Sequence, residues 1–244
     1  TLTVIKAIVN SLDVSYRYIG GDATYGANNS TIQDSNLDLL EQETQPVDVS
    51  TGLEAVDEGN GIGWRLIGRD ANNYGSIGKN SIDLSRQFVQ KGATGNDALA
   101  IGVGTEASGT NSRAEGSFTK ASGNNSHSEG DQSIASGNNS HSQGSQTVAN
   151  GGDSHAEGEA STASGTRSHA EGLQTVASGK DSHAEGRRTT ASGDSSYSNG
   201  RDTLASGTFS DCIGDNNFAR SKAEHSGGIY GTDYTPANDD TDRL

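Results

Sequence analysis

Small and larger side chains alternate with a period of two between residues 92 and 214. The pentapeptide SHAEG at residues 154–158 places Ser, Ala and Gly on one side, and His155 and Glu157 on the other. In the next half-repeat, Thr175, Ala177 and the following glycine share a side. Such alternation predicts β-strands, because successive strand residues point to opposite faces. One face of each predicted strand carries only very small side chains.

Two glycine series recur with a period of fourteen residues and an offset of seven. Each period therefore predicts two short strands, each followed by a turn near a glycine. Successive coils would stack as a parallel ladder with a spacing of about 4.8 Å. The expected fold class is all-β, a flattened parallel β-solenoid of fourteen-residue coils. The structural turn glycines of one series are Gly102, Gly116, Gly130, Gly144, Gly158, Gly172, Gly186, Gly200 and Gly214.

Composition narrows the possible partners of the chain. Only 29% of the 244 residues are hydrophobic and the net charge is −15, a balance that without the strict repeat would indicate disorder. The absence of a basic cluster argues against nucleic acid as a partner. No twenty-residue apolar run occurs, so we expect no membrane insertion by this segment. The single cysteine, Cys212, falls in the small-residue column and is expected to be a buried, inert thiol.

The ends of the repeat predict self-association. An interior of small side chains buries little apolar surface. The hydrophobic stabilisation of a single roll is therefore small compared with the conformational entropy that the chain loses on folding. Leu99 and Ile101 occupy the slots that hold His and Glu in the middle coils, and Ile213 returns to that slot at the far end. Outward apolar side chains are explained if another chain covers them.

These units resemble the YadA-like head repeat of trimeric autotransporter adhesins, a left-handed parallel β-roll also used in trimeric phage tail fibres. The resemblance covers residues 92–214 and rests on the two glycine series, the alanine column and the S-x-A-x-G unit. It implies a homotrimer in which one outward column lines the subunit interface. We expect His of one chain to hydrogen-bond Glu of a neighbour there. That column comprises Leu99, Ile101, His127, Glu129, His141, Gln143, His155, Glu157, His169, Glu171, His183, Glu185 and Ile213.

Two other interpretations of the histidines stay open. The column could be a solvated polar face, or three symmetry-related imidazoles could hold a metal ion or an anion on the trimer axis. A spacing of fourteen residues is not a metal-binding motif, so we assign no metal ligands and no cofactor. We also assign no catalytic residues, because Ser and His recur equally in every coil.

The chain divides into four predicted segments. Residues 1–58 form an N-terminal attachment or assembly segment, with an alternating stretch at 14–19, an acidic stretch at 34–43 and a possible linker around Pro46. Residues 59–91 are expected to be irregular entry coils that carry Trp64. Residues 92–214 form the roll, and 215–244 a C-terminal cap and polar tail. The sequence shows no coiled-coil heptads, neck motif or membrane anchor, so we expect a detached head or a head-like fibre module.

The leading functional hypothesis is a non-enzymatic attachment fibre or adhesin head that binds a host cell, a glycan or a matrix receptor. The alternative is a purely structural spacer of a phage tail fibre or surface fibre, with binding located elsewhere. Either would be extracellular, on a bacterial surface or a virion. An ice-binding face is disfavoured, because its threonines at 147, 175, 189 and 203 share a side with the interior alanines. The receptor-binding residues are not assigned.

Overall fold

The computed structural model describes residues 52–87 and 91–231, which form a two-layered β-solenoid. Within these ranges the only helical element is a 3-10 turn at Ala71–Asn73. No helix in the described part is long and apolar enough to cross a membrane. The all-β class is therefore confirmed. The predicted features at 14–19, 34–43, Pro46 and 233–244 lie outside the described residues.

One layer is a sheet of thirteen five-residue strands, and the other is a sheet of ten two-residue strands. The long sheet contains β1 Leu53–Asp57, β2 Ile62–Leu66, β3 Ile82–Arg86, β5 Leu99–Val103, β7 Arg113–Ser117, β9 His127–Asp131, β11 His141–Ser145, β13 His155–Glu159, β15 His169–Leu173, β17 His183–Arg187, β19 Tyr197–Arg201, β21 Asp211–Asp215 and β23 His225–Ile229. The short sheet contains β4 Gly92–Ala93, β6 Glu106–Ala107, β8 Lys120–Ala121, β10 Ile134–Ala135, β12 Val148–Ala149, β14 Thr162–Ala163, β16 Val176–Ala177, β18 Thr190–Ala191, β20 Leu204–Ala205 and β22 Phe218–Ala219.

The register places each residue beside its counterpart fourteen positions away. His155 lies between His141 and His169 in the parallel ladder. The predicted parallel solenoid of fourteen-residue coils is thus confirmed.

Strand pairing extends across three of the predicted segment boundaries. The ladder continues past Gly214 through β22 and β23, because Ala219 and Gly228 maintain the two small-residue columns. At the other end, β1 pairs antiparallel with β2, so the boundary at residue 58 falls inside a hairpin of the long sheet. The boundary at 91 also falls within the ladder, since β3 pairs in parallel with β5.

The interior consists of small side chains from both sheets. Ala107, on a short strand, and Ala170, on a long strand, are both fully buried. The threonines at 147, 175, 189 and 203 are also buried, which places the ice-binding candidate residues inside the roll. Cys212 is buried in the same interior, and burial raises the pKa of its thiol to about 11. A neutral thiol is a poor nucleophile, as expected for an inert cysteine.

The first serine of several SHAEG-type units has a structural role at the corner before the long strand. Ser154 Oγ donates to the Gly151 carbonyl oxygen at 2.7 Å, and Ser140 does the same to Gly137. The bond satisfies a carbonyl oxygen at a place where the chain changes direction. Serine is therefore explained at this position without any catalytic role.

The predicted turn glycines lie at the fourth position of the long strands, before the turn rather than in it. Gly158 has φ of 103°, a backbone conformation that L side chains rarely adopt. A Cβ built there would lie 2.1 Å from the carbonyl oxygen of Gly172 in the next coil. Successive coils thus approach each other too closely for any side chain at this point.

Each coil also turns through two non-strand residues with positive φ. At the corner before the long strand these residues are mostly Asn or Asp, such as Asn125 and Asn139, which tolerate this conformation. The corner after the long strand uses Gln146 and Ala160, which have no such preference. There the backbone N–H of Gln146 donates to Asp131 O of the preceding coil at 2.8 Å, so the ladder enforces the turn.

Candidate functional site on the outer face of the long sheet

The outer face of the long sheet presents two parallel columns, from the first and third residues of each strand. The first column runs from Leu99 through Arg113 to the histidines, and the second from Ile101 through Glu115 to the glutamates. The thirteen residues predicted to line a trimer interface all occupy these two columns. They lie in β5 (Leu99, Ile101), β9 (His127, Glu129), β11 (His141, Gln143), β13 (His155, Glu157), β15 (His169, Glu171), β17 (His183, Glu185) and β21 (Ile213).

The five imidazoles from His127 to His183 form one continuous stack. Ring centroids of successive histidines lie 4.6–4.8 Å apart, with interplanar angles between 3° and 27°. Tyr197 ends the stack with an edge-on contact to His183 at 5.2 Å. The spacing follows the strand separation of the ladder, so the stack is a direct consequence of the repeat.

The Nε2 atom of each of these five histidines is buried and has no hydrogen-bond partner among the residues that the structure describes. The nearest carboxylates are too distant to accept a hydrogen bond, since His155 Nε2 lies 3.9 Å from Glu157 Oε2. His169 and Glu171 have the same separation, 3.9 Å. A buried polar atom without a partner is costly, so this face offers unused hydrogen-bonding capacity to whatever covers it.

Burial lowers the pKa of the imidazoles of His155 and His183 below the ordinary value. Repulsion from neighbouring imidazoles adds to this effect: His141 and His169 act on His155, and His169 acts on His183. Nearby glutamates, including Glu157 beside His155, oppose it. The rings of His155 and His183 are therefore best accommodated in the neutral form.

We expect acidification to destabilise the roll. Since the folded pKa of His155 and His183 is lowered, the unfolded chain takes up protons first as the pH falls below about 6.5. The stabilisation is complete above that pH and is lost progressively down to the folded pKa. Thermal denaturation followed by circular dichroism at pH 7.5, 6.5 and 5.5, with a chelator present, should show a falling midpoint.

A variant with His155→Gln and His183→Gln serves as the control for this pH dependence. Glutamine does not titrate, so the midpoint of the variant should fall less between pH 7.5 and 5.5. Equal midpoints for the unmodified chain at both pH values would contradict the prediction.

The apolar ends of the columns are larger than the sequence analysis identified. Ile82 of β3 lies beside Leu99, and Leu84 beside Ile101. Trp64 of β2 lies beside Ile82, and its exposed fraction is 38%. The paired residues of β2, β3 and β5 are not fourteen positions apart in the sequence, so the period of fourteen did not predict them.

At the other end of the column, the sixth histidine was missed for a different reason. His225 lies beside Asp211, and its Nδ1 is 2.9 Å from Asp211 Oδ2. Its position continues the period of fourteen from His183, so the period itself was the signal that identifies it.

The opposite outer face, on the short sheet, has a different character. Its central column is largely half-buried and mostly β-branched or apolar, and it carries no imidazole stack. The column begins with Gly92, Glu106 and Lys120 and continues with Ile134, Val148, Thr162, Val176, Thr190, Leu204 and Phe218. The two faces of the roll are therefore chemically distinct.

Comparison with known families agrees with this architecture. Matches to the family model described as the YadA head domain repeat, in two copies, cover residues 93–119, 114–140, 142–168, 156–182, 170–196 and 184–210. No curated protein matches the chain. The resemblance predicted from the glycine and alanine columns is thus confirmed. Residues 93–210 of this chain, a little under half of its length, are thus similar to the YadA head domain repeat.

Proposed function

We propose that the chain is part of a non-enzymatic, homotrimeric attachment fibre, with the outer face of the long sheet turned toward the threefold axis. The observation that carries this proposal is the repeat family itself, which is structural and adhesive and forms trimers. Such a fibre would stand on a cell surface or a virion.

The outer face of the long sheet supports its assignment as the subunit interface. Apolar side chains occupy both ends, with Ile82 37% and Ile213 39% exposed in the single chain. Between them lie the five Nε2 atoms without partners. A neighbouring chain would cover the apolar ends and bring carboxylates within hydrogen-bonding distance of the imidazoles.

The arrangement predicts the effect of placing carboxylates on one face or the other. The double variant His155→Asp and His169→Asp should weaken trimerisation, because it adds negative charge to an interface already rich in glutamate. Sedimentation velocity should show a shift from three chains toward one chain of 25.1 kDa. We expect at least a tenfold rise in the dissociation constant.

The matched control places the same substitutions on the opposite face, as Thr162→Asp and Val176→Asp. These residues lie on the short sheet, so the trimer should persist. Circular dichroism would verify folding of both variants. The proposed interface would be contradicted if the unmodified chain were a folded monomer at micromolar concentration. It would also be contradicted if both pairs of substitutions weakened trimerisation equally.

Attachment is the proposed role of the surfaces that remain outside the trimer. Three copies on one axis would strengthen individually weak contacts through multivalency. Binding of the trimer to a panel of immobilised glycans and to whole cells tests this role, with the weakened trimer as the low-valency comparison. Binding that depends on the trimeric state would support attachment.

A structural spacer is the second candidate, favoured by one observation. Neighbouring coils in the ladder are almost identical, as in the SHAEG units of β13, β15 and β17. A binding patch requires local differences, whereas a spacer does not. If the chain is trimeric but binds neither the glycan panel nor whole cells, the result would favour the spacer.

A further inference from the structure

One coil boundary on the outer face of the long sheet brings three potential metal ligands together. One donor atom from each of Glu115, His127 and Glu129 lies within 4.8 Å of the others. His127 Nε2 is 3.8 Å from Glu115 Oε2 and 3.7 Å from Glu129 Oε2. Ligand atoms that share a tetrahedral zinc ion lie about 3.3–3.6 Å apart, given bond lengths of about 2.0–2.2 Å. A small rotation of the two glutamate side chains would reach that arrangement.

The imidazole of this group is suited to bind a cation. Its Nε2 is buried and has no hydrogen-bond partner, although it lies between two carboxylates. These distances are too long for hydrogen bonds, so no residue in the described ranges satisfies the nitrogen. A metal ion would satisfy the nitrogen and offset the negative charge of Glu129, while Arg113 already offsets that of Glu115.

The same three residue types recur three coils later in Glu157, His169 and Glu171, yet these donor atoms do not come together in the same way. Among the described residues, only the group at His127 brings three donor atoms within 4.8 Å. The difference begins with Arg113, which occupies the first column where later coils have His. Arg113 Nη2 donates to Glu115 Oε1 at 2.7 Å, which leaves Glu115 Oε2 directed toward His127.

We propose that Glu115, His127 and Glu129 form a binding site for a divalent first-row transition metal ion, with zinc as its best match. One imidazole nitrogen and two carboxylate oxygens are ligands that zinc commonly takes in proteins. Water would complete the coordination. All three ligands come from one chain. Because they lie on the face proposed as the subunit interface, the metal ion would replace a neighbouring carboxylate as the partner of His127 in the trimer. Arg113 acts as a positioning residue for Glu115.

Titration of the full chain with Zn²⁺ by isothermal titration calorimetry tests the site. We expect saturable binding that weakens at least tenfold in Glu115→Gln and in Glu129→Gln. The matched control is Glu157→Gln, which alters the equivalent glutamate of the later group and should leave the affinity unchanged. Tetrahedral Co²⁺ absorption would report the same pattern, and the ring-nitrogen resonances of His127 should shift on addition of Zn²⁺.

Three results would contradict the proposed metal site. No zinc binding by the unmodified chain would do so, as would unchanged affinity in both Glu115→Gln and Glu129→Gln. Equal weakening in Glu157→Gln would show that the whole column binds metal loosely, without a defined site. Sedimentation of each variant with a chelator present keeps failure of the metal site separate from failure of the trimer.

Discussion

Replacing Gly158 by alanine is expected to cost about 3 kcal/mol or more of folding stability. The backbone φ of 103° is strained for any L residue, which alone costs roughly 1–3 kcal/mol. The new Cβ would also lie 2.1 Å from the carbonyl oxygen of Gly172, a backbone atom that the ladder holds in place. The midpoint of thermal denaturation should fall by roughly 6–12 °C.

The control for this prediction is another glycine in the preceding corner. An added Cβ at Gly152 would meet nothing within 4 Å, and Asn138 and Thr166 occupy the equivalent position in adjacent coils. Gly152→Ala should therefore change stability by no more than about 0.5 kcal/mol. Similar midpoints for the two variants would show that close approach of the coils at Gly158 is not limiting.

Replacing Ala170 by leucine should destabilise the roll by about 3 kcal/mol, because the interior has no space for a larger side chain. Ala170 is fully buried and belongs to a continuous cluster that includes Ala163 and Ala177 of the facing short strands. Overpacking of a close-packed core typically costs about 1–3 kcal/mol and occasionally more. The midpoint of chemical denaturation measures the effect.

Thr162→Leu provides the matched control on the outer face of the short sheet. Thr162 is half-buried, and Leu204 already occupies the same column three coils later. Leucine should be tolerated there with little change in stability. If Ala170→Leu proved equally mild, the two sheets would be able to separate more readily than the small interior indicates.

The small interior also bears on the proposed association of the chain into a trimer. An interior of alanine, serine and threonine buries little apolar area per residue, and the hydrophobic contribution scales with that area. The glycine and alanine columns bring the coils and sheets close together, but their side chains bury little apolar surface. Apolar side chains at Trp64, Ile82 and Ile213 remain on the outside, where a second chain could bury them.

Much of the architecture could be predicted from the amino-acid sequence because one local rule repeats. Alternation in SHAEG decides which side chains face inward, and the period of fourteen places His141 beside His155. The register therefore determines which residues lie beside any given residue of the repeat. The period of fourteen did not predict the first strands of the long sheet. There β2 and β3 pair at a different sequence spacing and β1 runs antiparallel to β2.

The chemistry of the outer face was decided by the tertiary structure. The period places imidazoles in a column, but only the strand separation sets ring centroids 4.6–4.8 Å apart and leaves each Nε2 without a partner. Likewise, Gln146 has no local preference for positive φ, and its conformation follows from a hydrogen bond to the preceding coil. Arg113 directs Glu115 toward His127, although the later coils contain the same Glu and His types. The sequence by itself therefore determined the repeat and the side on which each residue lies, since both follow from local periodicity. Side-chain orientation depends on contacts between coils, so only the folded ladder decided which groups meet.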